Sequence, residues 1–131
     1  MTNEEQQVSI FKSKSGLKRI TAACGYSIEG LKSAWRGEHA FKQELVVVSI
    51  GTIIALFLPV PVLEKLLLIT VLILILIVEL LNSALEAVVD RISLERHPLS
   101  KNAKDFGSAA VFLACMLALA TWGGVVITRF L

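Results

Sequence analysis

Five polar side chains recur at regular spacing in the apolar stretch "VELLNSALEAVVD". They are Glu79, Asn82, Ser83, Glu86 and Asp90. Each residue of an α-helix advances by roughly 100° around the axis, which predicts that all five share one face, here called the polar track. Polar side chains aligned in this way face a protein interior or a water-filled cavity and mark functional sites in membrane proteins. The track therefore indicates chemistry or transport at a membrane.

The depth of these carboxylates suggests two different tasks. The track continues the run "LLLITVLILILI", which is as apolar as a bilayer span, and ends beside Arg91 at a charged loop. Glu86 is then expected just inside the membrane boundary, with Glu79 roughly 10 Å deeper. A shallow carboxylate could meet a cytoplasmic cofactor and a deeper one a lipid-held group. The alternative is that these polar side chains only form contacts between subunits of an oligomer. This alternative is strongest for Asp90.

Two further features could serve a phosphorylated ligand. Mg²⁺ prefers one or two carboxylates together with substrate phosphates, and Glu38 and Glu86 at similar depth could form such a pair. The loop sequence "ERHPLSKNAKD" concentrates cationic side chains, with Asp105 expected just before a helix start. These cations suit a polyphosphate, although a solvated cytoplasmic loop would have the same composition.

The elements that must position these residues are membrane helices. The chain has 131 residues and a mean hydropathy of +0.72, so it is one domain and too apolar for an ordinary soluble protein. Spans are predicted at about 40–60, 62–90 and 106–129. Residues 1–15 are expected to be a loose tail. Residues 16–36 form a basic amphipathic pattern that predicts a surface helix, lying in the membrane interface or packed on the bundle.

Charge predicts the orientation. Seven Lys and Arg precede the first span and four follow the second, whereas only Lys65 and Arg129 lie on the other side. The positive-inside rule places the N-terminus in the cytoplasm and the C-terminus across the membrane. The fold class is all-α, with self-association expected because three short spans enclose little polar surface. Cys24 and Cys115 are not expected to form a disulfide.

The chain has neither a GxxxxGK[ST] loop nor protein-kinase signatures, so nucleotide chemistry would need another kind of site. The segments "AACGYSIEGLKSAW", "VELLNSALEAVVDRI" and "AKDFGSAAV" resemble the small bacterial diacylglycerol kinase family of integral membrane enzymes, over residues 17–130. The resemblance implies a homotrimer with active sites shared between subunits. It also implies transfer of the ATP γ-phosphoryl group to diacylglycerol, with Mg²⁺, in the bacterial inner membrane.

The resemblance also assigns roles to residues, matched position by position. It implies that Glu79 is the catalytic base, that Asn82 is a polar active-site residue, and that Glu38 and Glu86 bind magnesium. Nucleotide contacts are implied for Arg19, Tyr26, Glu38, Glu86, Glu95, Arg96, His97, Lys104 and Asp105. Contacts with the lipid substrate are implied for Arg19, Trp35, Ala40, Phe41, Lys42, Gln43, Glu44, Glu79 and Ser108. The C-terminus would lie in the periplasm. Membrane lipid would be a partner, and nucleic acid would not.

Three other functions stay open from the sequence. A related branch of the same family phosphorylates undecaprenol with similar residues. An ion- or proton-conducting helix bundle could use the polar track as a relay, but it would not need Glu38 or the basic loop. A purely structural membrane trimer would tolerate Glu79→Gln, because that change removes a buried charge.

Overall fold

Four α-helices, and no strand, make up the part of the chain that the computed structural model describes, residues 16–131. They are α1 (Gly16–Gly37), α2 (His39–Phe57), α3 (Val62–Ile92) and α4 (Pro98–Phe130). The all-α class predicted from the sequence is confirmed. The predicted loose tail, residues 1–15, lies outside the described residues.

Helix α1 belongs to a separate compact unit that ends at Arg36, and residues 37–131 form the other. Its apolar side chains, among them Leu17, Ile20 and Trp35, are exposed. On its polar side Lys32 donates a 2.9 Å hydrogen bond to Glu29. The predicted amphipathic helix over residues 16–36 is thus present, and its apolar side chains are exposed.

Helices α2, α3 and α4 are each long and apolar enough to cross a membrane, at 19, 31 and 33 residues. Only 17%, 28% and 17% of the most apolar window of each helix is buried within the chain. The remaining apolar surface is left for lipid or for other subunits. The three membrane spans predicted from the sequence are therefore present.

Prolines decide where α2 ends and α3 begins. Leu58 follows the last residue of α2 with a ψ of 136°, the extended conformation that a following proline imposes, here Pro59. Pro61 then caps the N-terminus of α3. The first span therefore ends at Phe57, three residues before the predicted boundary near residue 60.

Helix α4 begins eight residues before the predicted start of the third span, at Pro98 rather than 106. Pro98 occupies the first turn, where its missing N–H costs nothing, and His97 is the N-cap. The His97 Nδ1 atom accepts a 3.1 Å hydrogen bond from the Leu99 backbone N–H. The expectation that Lys104 and Asp105 precede the helix was wrong, because both lie in its second turn.

Helix α3 packs against both α2 and α4. One buried cluster joins Val48 of α2, Leu72 and Ile75 of α3, and Ala114 and Ala118 of α4. A second buried cluster lies nearer the connection between α2 and α3. It consists of Ala55, Val60, Leu68 and Val125. Trp122 packs against both clusters and donates a 3.2 Å hydrogen bond from Nε1 to the Leu68 carbonyl.

Polar contacts close the end of the bundle opposite the polar track. The Arg129 guanidinium near the end of α4 binds the Glu64 carboxylate in the first turn of α3, with both carboxylate oxygens 3.0 Å from Nε. Lys65 donates a 2.6 Å hydrogen bond to the Leu56 carbonyl in the last turn of α2. These contacts tie the three spans together at that end.

Candidate active site

A cleft of about 420 Å³ between α2, α3 and α4 contains most of the polar track. We call it the carboxylate cleft. Its walls come from the start of α2, the middle of α3 and the adjoining part of α4. The lining residues are Glu38, Ala40, Glu44, Glu79, Asn82, Ser83, Glu86, Ser108, Val111 and Phe112.

Glu79 lies at the inner end of the cleft and is only 5% exposed, the one buried charged side chain among residues 16–131. The turns of α3 that follow it toward the loop carry Asn82 and Glu86, so the carboxylates are stepped along the helix. A buried acidic group in a membrane helix is energetically costly and is kept where function needs it. The geometry therefore singles out Glu79 for chemistry.

Two acceptor atoms in this cleft are buried without a hydrogen-bond partner. They are Oε2 of Glu44 and Oδ1 of Asn82. The Asn82 amide is held at its other end, where Nδ2 donates a 3.2 Å hydrogen bond to Oε1 of Glu86. A buried unpaired acceptor is costly in the protein alone, so the Glu44 carboxylate is suited to accept a hydrogen bond from a bound hydroxyl group.

Glu38 precedes α2 as its N-cap residue, yet its side chain makes no capping hydrogen bond. Its carboxylate is half-buried and free to bind a ligand at the mouth of the cleft, which Glu86 also lines. No group of three or more His, Cys, Asp or Glu side chains in residues 16–131 is placed to hold a metal ion alone. Two carboxylates completed by phosphate and water are nevertheless the usual environment of Mg²⁺, so this donor set fits that ion.

A second and larger cleft, of about 960 Å³, lies between the end of α3 and the start of α4. We call it the basic cleft. All five loop and helix-start residues predicted to contact a nucleotide line it, namely Glu95, Arg96, His97, Lys104 and Asp105. Lys101 lines it too and forms a 2.5 Å ion pair with Asp105. Clustered cationic side chains suit a polyphosphate, whose oxygens accept charge-assisted hydrogen bonds.

Asp90 separates from the rest of the polar track. It lines the basic cleft and accepts a 2.7 Å hydrogen bond from the Lys104 ammonium. The two clefts are nevertheless adjacent along α3, because Glu86 lines one and Asp90, a single helical turn later, lines the other. A ligand in the basic cleft would therefore lie beside the mouth of the carboxylate cleft.

The predicted lipid-contact residues divide into three groups. Ala40, Glu44, Glu79 and Ser108 line the carboxylate cleft. Phe41 is buried at 3% exposure, and Lys42 and Gln43 are not among the lining residues. Arg19 and Trp35 lie on α1, in the other compact unit, with their side chains exposed, as does Tyr26, which was predicted to contact the nucleotide. The roles assigned to all of these residues remain predictions.

Several lining residues had no assigned role. Ser83 belongs to the polar track but received none, and Val111 and Phe112 form an apolar wall one turn beyond Ser108. The helical spacing from Ser108 could have indicated them. Ser100 was missed because the start of α4 was placed too late, whereas Lys101 had been predicted among the loop cations that suit a polyphosphate.

Comparison with known proteins gives three close relatives and one family. A family model described as prokaryotic diacylglycerol kinase matches residues 25–126. A diacylglycerol kinase of Pseudomonas aeruginosa is 55% identical over 120 residues, which cover 91% of this chain and 97% of that protein. The diacylglycerol kinases of Escherichia coli K12 and Haemophilus influenzae are 52% and 44% identical, covering 82% and 85% of this chain and 88% and 94% of theirs. The matched region includes every residue that lines the two clefts.

Proposed function

Because the chain belongs to the prokaryotic diacylglycerol kinase family, we propose that it phosphorylates the free hydroxyl of diacylglycerol with ATP, giving phosphatidic acid and ADP. The hydroxyl oxygen forms the new bond to Pγ while the bond from Pγ to the β,γ-bridging oxygen breaks. The observation that carries the proposal is the placement of one buried carboxylate, Glu79, in a cleft that adjoins a basic cleft.

Glu79 is proposed as the general base. Phosphoryl transfer needs little covalent work by the protein, so its tasks are to position the reactants, to stabilise charge and to receive the hydroxyl proton. The Glu79 carboxylate lines the inner part of the cleft, where a lipid hydroxyl entering from the bilayer can meet it. The unpaired Oε2 of Glu44 supports a role for that residue in orienting the glycerol part of the substrate.

The nucleotide is proposed to occupy the basic cleft, with its γ-phosphate toward Glu86. Lys104, Lys101 and Arg96 can neutralise phosphate oxygens there. Glu38 and Glu86 would hold Mg²⁺, which, when bound, neutralises charge on the transferred phosphoryl group and the leaving group. Asn82 holds the Glu86 carboxylate by its 3.2 Å hydrogen bond.

We further propose that the enzyme lies in the bacterial inner membrane with both clefts at the cytoplasmic side and the C-terminus in the periplasm. The excess of Lys and Arg around the clefts supports this orientation. A homotrimer with shared sites is supported by the large apolar surface that α2, α3 and α4 leave exposed. The substrate contacts that the resemblance implies for Arg19, Tyr26 and Trp35 of α1 remain part of this proposal.

The test is transfer of ³²P from γ-labelled ATP in mixed micelles that contain diacylglycerol and undecaprenol, with Mg²⁺. Glu79→Gln is measured beside the unaltered chain after its oligomer is shown to be intact, and Glu29→Gln, a change at an exposed acid with no assigned role, reports on loss of charge alone. We expect labelled phosphatidic acid, and a loss of at least a hundredfold in Glu79→Gln, the range of general-base catalysis.

Other outcomes would change the proposal in distinct ways. Label in undecaprenyl phosphate alone would keep the mechanism and replace the substrate, although the names of the relatives above favour diacylglycerol. Full activity of Glu79→Gln would remove Glu79 as the base. An assembled chain that labels neither lipid would overturn the kinase function and leave the carboxylates to an ion relay.

A further inference from the structure

Gly107 on α4 touches the active-site amide of Asn82 on α3 more closely than any larger residue could. Gly107 is buried, and a Cβ atom placed on it would overlap Oδ1 of Asn82 and lie 3.2 Å from its Cγ. Such a Cβ would thus collide with the end of the amide that carries its buried, unpaired oxygen. The glycine leaves just the space that the Asn82 side chain occupies.

This close approach distinguishes Gly107 from the glycines farther along the same helix. A Cβ atom on Gly123 or on Gly124 would have no neighbour within 4 Å. Glycine also lowers helix stability by roughly 1 kcal/mol relative to alanine, which makes its presence in mid-helix informative. At Gly107 the structure gives the reason, which is room for one particular side chain.

The hydrogen bond to Glu86 fixes which way the Asn82 amide points. Nδ2 donates to Oε1 of Glu86 at 3.2 Å, whereas Oδ1 lies against Gly107. If the amide turned end for end, its oxygen would face the Glu86 carboxylate, and two acceptors would repel each other. If α4 carried a larger residue at Gly107, the amide would have to move away and could not keep both its place and its bond to Glu86.

We infer that Gly107 is a positioning residue for phosphoryl transfer: by leaving room for the Asn82 amide, it orients the Glu86 carboxylate toward the metal–nucleotide complex. The chain of contacts is Gly107 to Asn82 to Glu86, and it joins α4 to α3 beside the cleft. Partners that orient a metal ligand typically change metal affinity by roughly tenfold to a hundredfold when they are removed. The inference rests on the proposed function only for the role of Glu86.

The test measures binding of Mn²⁺ with the non-hydrolysable nucleotide AMPPCP by electron paramagnetic resonance, using the full chain in lipid nanodiscs. Gly107→Ala, Asn82→Ala and the double variant are compared with Gly123→Ala, the matched control on the same helix. Both single variants are expected to weaken binding roughly tenfold to a hundredfold. The double variant should bind no more weakly than Asn82→Ala, because the added Cβ then meets only the retained Cβ at 3.8 Å, an ordinary contact.

A kinetic readout separates positioning from general damage. In Gly107→Ala the Mg²⁺ concentration for half-maximal rate should rise by the same factor, while the rate at saturating Mg²⁺ recovers most of its value. Gly123→Ala should show neither change. A loss of rate that saturating Mg²⁺ does not restore, with metal binding intact, would overturn the inference.

Three further results would also overturn it. These are binding by Gly107→Ala equal to that of Gly123→Ala, additive losses in the double variant, and wild-type affinity in Asn82→Ala. The last measurement decides the question even if Gly107→Ala does not assemble. If the unaltered chain binds the probe through Glu86 but phosphorylates no lipid, the proposed function fails while the positioning role is still measured. A wild-type chain that does not bind the probe removes the positioning role.

Discussion

Lys104, in the second turn of α4, donates a 2.7 Å hydrogen bond to Asp90 near the end of α3. The bond joins the two helices across the basic cleft. Both side chains are more than 40% exposed, and an ion pair in such contact with water contributes little to stability. The main effect of this bond is therefore to hold the Lys104 ammonium group in one position on the wall of the basic cleft.

The first prediction concerns Lys104→Gln. Loss of a charged hydrogen-bond donor to phosphate should raise the KM for ATP roughly tenfold, with little change in thermal stability. Lys65→Gln, at the opposite end of the bundle, is the matched control and should leave the KM unchanged. Steady-state rates at varied ATP concentration check this. An unchanged KM would place the phosphates elsewhere.

The second prediction separates two roles of His97. His97 caps α4 through Nδ1, and its imidazole also lines the basic cleft. Asparagine is a good N-cap, whereas alanine is not, and the loss of a cap costs about 1 kcal/mol. If capping is its role, His97→Asn should keep the thermal stability and the KM for ATP, while His97→Ala lowers stability. A raised KM in both variants would instead show contact between the imidazole and the nucleotide.

The third prediction concerns Trp122, which packs against both buried clusters and donates to the Leu68 carbonyl. Trp122→Phe keeps part of the packing but removes both the N–H donor and one ring, so it should lower the free energy of unfolding by about 1–2 kcal/mol. Trp122→Ala also leaves a cavity and should cost about 3–5 kcal/mol. Unfolding of the detergent-solubilised protein by denaturing detergent measures both. Equal losses would mean that packing contributes nothing beyond the hydrogen bond.

The fourth prediction compares two glycines in membrane helices. Alanine at Gly124 would meet open space and should stabilise α4 by about 0.5–1 kcal/mol through helix propensity. Alanine at Gly51 would place its Cβ 2.7 Å from the Leu72 side chain, which is buried in the core. Overpacking costs about 1–3 kcal/mol, so the same propensity gain is cancelled or exceeded at Gly51. A stabilising Gly51→Ala would show that the core there can relax.

The fifth prediction concerns the stability cost of Glu79. Replacing this buried acid by glutamine removes an ionisable group from a membrane helix, so Glu79→Gln should unfold at the same temperature as the unaltered chain or at a higher one. Glu79→Asp, which keeps the acid but shortens it, should show no such gain. Thermal unfolding of both variants in the same lipid checks this. Strong destabilisation by glutamine would make Glu79 a structural residue.

The polar track could be predicted from the sequence because helical periodicity is a local property. It placed Glu79, Asn82 and Glu86 on one face, and the structure keeps them together in one cleft. The hydrogen bond that Asp90 accepts could not be predicted from periodicity, since its donor is a lysine 14 residues farther along, on another helix. The contact between Asn82 and Gly107 was hidden for the same reason, because one sequence does not give the register between two helices.

The ends of the helices also show which signals in the sequence were used in the prediction and which were overlooked. A residue before proline favours an extended conformation, and this local rule could have ended the predicted span before Pro59. Hydropathy alone instead extended the predicted span to about residue 60. Hydropathy did not indicate the start of α4, because the long apolar stretch begins at Phe106, whereas the polar turns from Pro98 onward are helical too. Their signal, a capping residue followed by proline, was present in "RHPLS".

The early start of α4 has a mechanical consequence. Lys104, which lines the cleft proposed for the nucleotide, and Ser108, which lines the cleft proposed for the lipid, lie one turn apart on one unbroken helix. Their separation is set by the pitch of that helix, roughly 6 Å for four residues, and not by the closure of a loop. Inserting one residue between them would rotate one set of contacts by roughly 100° relative to the other. Under the proposed function, the helix thus sets a fixed distance between the sites of the water-soluble reactant and the membrane-bound one.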